Sequence, residues 1–157
     1  PMKPASLVTC LWFDDQAEEA ARYYCGLFDD AEITHIYPQR GSADGRAFLV
    51  QWTMLGQKFS GMNGGPHYKL TPAMSIEVHL ETQAEVDALW DTFLDSGAAP
   101  QRCGWLTDQF GVSWQIIPRG LMALMTTEDD ARAQRVTQAM MKMIKLDINA
   151  LQAAADS

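Results

Sequence analysis

Hydrophobic and polar positions alternate one by one over residues 7–13, LVTCLWF, and then change to a spacing of three and four. Leu7, Thr9, Leu11 and Phe13 fall on one side of an extended chain and Val8, Cys10 and Trp12 on the other, which predicts a strand with two covered faces. Ala17, Ala20, Ala21, Tyr24, Leu27 and Phe28 then mark the buried side of a helix. Asp15, with Glu18 three residues later, predicts a capping box at its start. Residues 32–38, EITHIYP, read as a second strand, and 45–55, GRAFLVQWTML, as a third that alternates Phe48, Val50, Trp52 and Met54. Gly56 predicts a hairpin into a fourth strand, KFSGMN at 58–63, so this half of the chain reads βαβββ.

The pattern then returns. FDDQAEEA at 13–20 is echoed by LETQAEVD at 80–87, between an alternating strand SIEVHL at 75–80 and a helix with apolar Val86, Leu89, Trp90, Phe93 and Leu94. Thr82 and Glu85 form a regular capping box, and Gly97 and Pro100 end the helix. The helical faces align at an offset of 66 and the quoted phrases at 67, so the copies slip by one residue inside the first turn. Short strands near 101–107, a turn at DQFG (108–111) and a strand VSWQIIP (112–118) complete a second βαβββ. The expected fold class is α+β, with duplicated βαβββ modules at 6–65 and 73–119 forming one domain over 1–125. Residues 126–157 form a helical extension that is acidic at its start, carries Lys142 and Lys145 later, and contains no glycine. A break at 145–148 is expected, with Asp147 capping a short second helix through Leu151. Its Met-rich stripe is expected to pack on the sheet or on a second subunit, with partner binding as the alternative.

Composition narrows the function classes. The 157 residues are 47% hydrophobic, enough to bury a core, and a net charge of −8 leaves no basic stripe for nucleic acid or anionic lipid. No apolar run approaches the roughly 20 residues that span a bilayer, and the first residues lack a signal-peptide core. A soluble, cytoplasmic protein with no membrane or nucleic-acid partner is expected. Cys10, Cys25 and Cys103 are odd in number and widely spaced, which argues against a disulfide framework or zinc cluster and for buried thiols.

Taken in order, LWFDDQAEEAARYYCGLF, MNGGPHYKLTPAMSIEV, CGWLTDQFGVSWQIIP and RAQRVTQAMMKMIKLDINAL resemble the PhnB-like branch of the vicinal oxygen chelate superfamily. That superfamily includes glyoxalase I and bleomycin-resistance proteins, and the likeness covers nearly the whole chain. Domains of this branch often carry the label 3-demethylubiquinone 3-methyltransferase. No glycine-rich turn follows the first strand to hold S-adenosylmethionine, so methyl transfer is not expected. The resemblance implies that each module curls its sheet into half a cup, and that two cups, from one chain or from swapped subunits, enclose a pocket in a homodimer. Superfamily enzymes usually place a metal there, on a His near the start of a module's first strand and a Glu on its last. The corresponding positions are Val8 or Thr9 and Ser75 or Ile76 on the first strands, and Asn63 and Gln115 on the last. None is His or a carboxylate, so neither metal nor cofactor is expected.

The alternation makes Cys10, Trp12, Glu77, His79 and Gln115 cup-facing. Glu77 and His79, two apart on one face, are the candidate catalytic residues, as a tuned acid or base. A hydrogen-bonded pair that only satisfies polar atoms, or a metal site with Gln115, are the other readings. In NGGPH (63–67), Asn63 and His67 are candidate pocket residues, although two glycines ahead of a proline also suit a linker that needs positive backbone dihedrals. His35 reads as an ordinary strand residue, and Trp52, Trp105 and Trp114 as core or cup wall. The expected function is small-molecule binding in the cup without a metal, the reaction being open. The alternative is a metal-dependent or Glu/His acid–base enzyme, an isomerase, lyase or dioxygenase-like activity.

Overall fold

Leu11 and Phe13 are 1% and 4% exposed, while Cys10, between Thr9 and Leu11, lies open to solvent. The alternation is therefore real, but only one of the two expected faces is covered. In the computed structural model, which describes residues 1–157, this strand is β1 (Thr9–Phe13). It is followed by α1 (Ala17–Cys25), β2 (Ala31–Pro38), β3 (Ala47–Met54) and β4 (Gln57–Asn63). The sheet order is β1-β4-β3-β2, with β1 parallel to β4 and the other pairs antiparallel.

The covered face packs on α1. Ala17, Ala20 and Ala21 are fully buried, and their small side chains meet an equally small partner. A Cβ on Gly61 would stand 3.1 Å from the Phe13 ring and 3.2 Å from the Ala17 Cβ and the Trp52 ring, so glycine allows the close approach of helix and sheet. Trp52 stacks on Phe59 at 5.7 Å and meets Tyr24 at 6.0 Å, filling the space beside the alanines.

The second half repeats the arrangement: β5 (Ser75–Leu80), α2 (Gln83–Asp95), β6 (Ala99–Pro100), β7 (Trp105–Thr107) and β8 (Ser113–Pro118), in the order β5-β8-β7-β6. Again the first strand runs parallel to the last. Val86, Trp90 and Phe93 of α2 bury against Leu106, Trp114 and Ile116, with Phe93 and Trp114 rings 5.2 Å apart. The chain divides into two compact units, Pro1–Leu70 and Thr71–Ser157. Unit two includes three further helices, α3 (Gly120–Met125), α4 (Asp130–Met140) and α5 (Ile148–Asp156).

Three local expectations need correction. Thr82 and Glu85 form their capping box, but Asp15 does not cap α1: three residues separate β1 from α1 against two between β5 and α2. The slip between the copies lies in that connection. It leaves Gln16 at the N-cap without a side-chain bond to the helix backbone, and Asp15 pairs with Arg46 at 3.3 Å instead. The first short strand of the second module is Ala99–Pro100, ahead of the expected 101–107. In the tail, α4 stops at Met140, before Lys142 and Lys145, while Asp147 caps α5 through Asn149 and Ala150. The six-residue α3 was not foreseen, because its glycine start and unbroken apolar run carry no helical period.

Candidate functional site: the sheet faces turned from the helices

Residues in register across a parallel pair share a side of the sheet. In unit one this places Cys10 with Ser60 and Trp12 with Met62 on the face away from α1. Trp12 is half-buried by the chain that follows β4: its Nε1 donates to the Gly65 carbonyl at 2.9 Å, and the Tyr68 ring meets it edge-on at 4.9 Å. A Cβ on Gly64 would overlap the Trp12 ring, and Gly65 has φ +86°, so NGGPH does act as a backbone-shaped linker. His67, just beyond, is exposed.

Asn63 corrects the expected pocket. It is in register with Phe13, on the helix face, and both ends of its amide are engaged. Its Oδ1 accepts from the Ala17 N–H at 2.8 Å, and its Nδ2 donates to the Ala47 carbonyl at 3.0 Å. Asn63 thus supplies from β4 the cap that α1 lacks in its own sequence, and it faces the helix rather than the open side of the sheet.

In unit two, Glu77 is in register with Gln115 and His79 with Ile117, on the face opposite Trp114 and Ile116. His79 Nε2 and Glu77 Oε1 lie 3.6 Å apart, too far for a hydrogen bond but within reach of an ion pair, and their side chains are 42% and 53% exposed. Such exposure leaves both groups to water, so neither needs the other for satisfaction. Gln115 is half-buried and donates to the Ser75 hydroxyl at 2.9 Å. Ser113, 2% exposed, holds a buried hydroxyl with no partner.

The cysteines also depart from expectation. Cys10 is exposed, and Cys25 and Cys103 are half-buried. Burial, and then the Glu32 carboxylate, push the Cys25 thiol above its usual range, which keeps it protonated and a weak nucleophile.

A metal in the superfamily manner would need His and carboxylate ligands at the start of β1 or β5 and along β4 or β8. These faces offer Val8, Ser60, Ser75 and Gln115, and no group of three His, Cys, Asp or Glu side chains is placed to hold an ion. The donor set does not fit a divalent cation.

Sequence reading passed over a groove of about 460 Å³ on unit one, lined by Ser6, Val8, Thr34, His35, Gln51, Trp52, Thr53, Lys58 and Phe59. The signal was present in the residues skipped by the buried alternation of β3, Gln51 and Thr53, and in Lys58, in register with Thr53.

Comparison with known proteins agrees with this architecture. The duplicated modules have the glyoxalase and bleomycin-resistance fold, shared with a fosfomycin resistance protein from Listeria monocytogenes (14% identity, 73% of this chain and 89% of that one, TM-score 0.50). The family match is more particular. The profile described as 3-demethylubiquinone-9 3-methyltransferase matches residues 5–117, and the chain belongs to that PhnB-like family. It is similar to a PhnB protein from Bacillus cereus described as a putative 3-demethylubiquinone-9 3-methyltransferase (31% identity, 71% of this chain, 98% of that one, TM-score 0.64). A protein from Pseudomonas aeruginosa shares the fold at 20% identity, over 71% of this chain and 95% of that one, with a TM-score of 0.58. No curated protein matches the sequence.

Proposed function

We propose that the chain binds a small organic molecule on its sheet faces and works without a resident metal ion. One observation carries this reading: where superfamily enzymes set their metal ligands, these faces present aliphatic, hydroxyl and amide groups. A tryptophan ring with polar neighbours suits an organic ligand better than a cation. Methyl transfer lies outside the reading, because Asp14, Asp15 and Gln16 connect β1 to α1 with no glycine to admit S-adenosylmethionine. The reading includes a homodimer, the common assembly of this superfamily, and a cytoplasmic location, with which three unpaired thiols are consistent.

Elemental analysis of protein purified without chelator tests the central claim. Metal below about one-tenth occupancy is expected, since a working site would retain its ion, and near-stoichiometric metal would overturn the reading. The 3.6 Å approach of His79 to Glu77 favours a second reading, acid–base catalysis by that pair. The variants E77Q and H79N separate the two: loss of turnover with retained ligand binding selects catalysis, and unchanged behaviour selects binding alone.

A further inference from the structure

The groove on unit one has an unusual charge for this protein. The chain carries 20 acidic residues against 12 basic, yet the nine residues lining the groove include one lysine and no carboxylate. Lys58 forms no ion pair; its Nζ donates once, to the Ser6 hydroxyl at 3.2 Å, leaving two of its three donors unused. Gln51 turns its carbonyl oxygen to the Tyr37 hydroxyl at 3.5 Å, which leaves its NH2 group available. Trp52 and Phe59 border the groove from below, since their rings are buried on the α1 side of the sheet. His35, held by stacking on Tyr37 at 5.8 Å, stands at the edge formed by β2.

From a lysine without an ion pair, an amide NH2 left free and a lining without carboxylates we infer that the groove over Gln51, Thr53 and Lys58 is a binding site for a small carboxylate with an apolar body. Val8 and the threonine methyls supply the apolar contact, and a space of about 460 Å³ falls within the range of small-ligand sites. The site lies two register steps along the sheet from Trp12, toward the N-terminal end of β1. The inference rests on the ligand-binding reading and adds the charge of the ligand.

The test titrates three probes of one shape into the full-length protein: benzoate, benzyl alcohol and benzamidine, followed by amide NMR shifts. Benzoate should saturate shifts at Gln51, Thr53 and Lys58, and bind more tightly than the other two. K58Q should weaken benzoate about tenfold and K58R should restore it, as expected for one charged contact. Equal binding of all three probes, preference for benzamidine, shifts confined to residues outside the groove, or an unaltered K58Q would each overturn the inference. The metal analysis above reads a different property, so either idea can fail while the other stands.

Discussion

At the residue scale, Asn63 caps α1 from a distance, where Thr82 caps α2 from its own start. One amide accepts from the first N–H of α1 and donates to the end of β3, so that a side chain of β4 ties a helix start to a neighbouring strand. N63A removes a cap and leaves a partly buried N–H and carbonyl unpaired, for an expected loss of about 2 kcal/mol in urea unfolding. T82A in α2 should cost about 1 kcal/mol, because the Glu85 carboxylate still accepts from the Glu81 and Thr82 N–H groups. Equal losses would show that the long-range cap is no stronger than the local one. The two caps also differ in legibility. Thr82 and its partner are three residues apart and could be read directly, whereas Asn63 and Ala17 are separated by 46 positions and meet only once the sheet exists.

At the element scale, the segment after α4 is fastened to α2 by polar contacts. Gln83 donates to the Leu146 carbonyl at 2.9 Å and accepts from the Ile148 N–H at 2.8 Å, and Lys145 reaches Asp87 at 2.8 Å. The Lys145 ammonium, and then Gln83, hold the Asp87 carboxyl below its ordinary value, and the Asp87 carboxylate lifts the Lys145 ammonium above its own. A depressed carboxyl adds stability above its unfolded pKa, near 3.9, which is lost as pH falls through the lower folded value. A raised ammonium adds stability below its unfolded pKa, near 10.4, which is lost as pH rises through the higher folded value. The fastening should therefore be flat across neutral pH and weaken at both ends. D87N should remove both limbs: stability against pH, measured by chemical denaturation, should fall less steeply in acid and in alkali than for the parent chain. Unchanged limbs would mean that solvent screens the pair completely.

At the scale of the whole molecule, the family match ends at residue 117 while the second compact unit continues to Ser157. The tail is part of that unit's core: Val136, Leu146 and Leu151 are at most 1% exposed and cluster with Ile117 of β8. At about 2 kcal/mol for each buried side chain, these three contribute about 6 kcal/mol, comparable with the 5–15 kcal/mol that keeps a domain folded. Deletion of 126–157 should therefore strip hydrogen-exchange protection from β5 and β8, while β1 and β4 in the other unit retain theirs. Persistent protection of β8 in the truncated chain would show the tail to be an accessory.

Local pattern alone determined the duplicated βαβββ order, the α2 capping box and the Asp147 cap, because strand alternation, helical spacing and caps are interactions among residues a few positions apart. The same alternation distinguished Trp12, Glu77 and His79 from the core-facing residues. What it could not decide was which face stays open, where Asn63 points, and that Ser6, His35, Gln51 and Lys58 surround one groove. Those facts depend on which strands become neighbours. The sheet order β1-β4-β3-β2 brings together residues from distant parts of the chain, and hydrophobic periodicity carries no record of strand pairing.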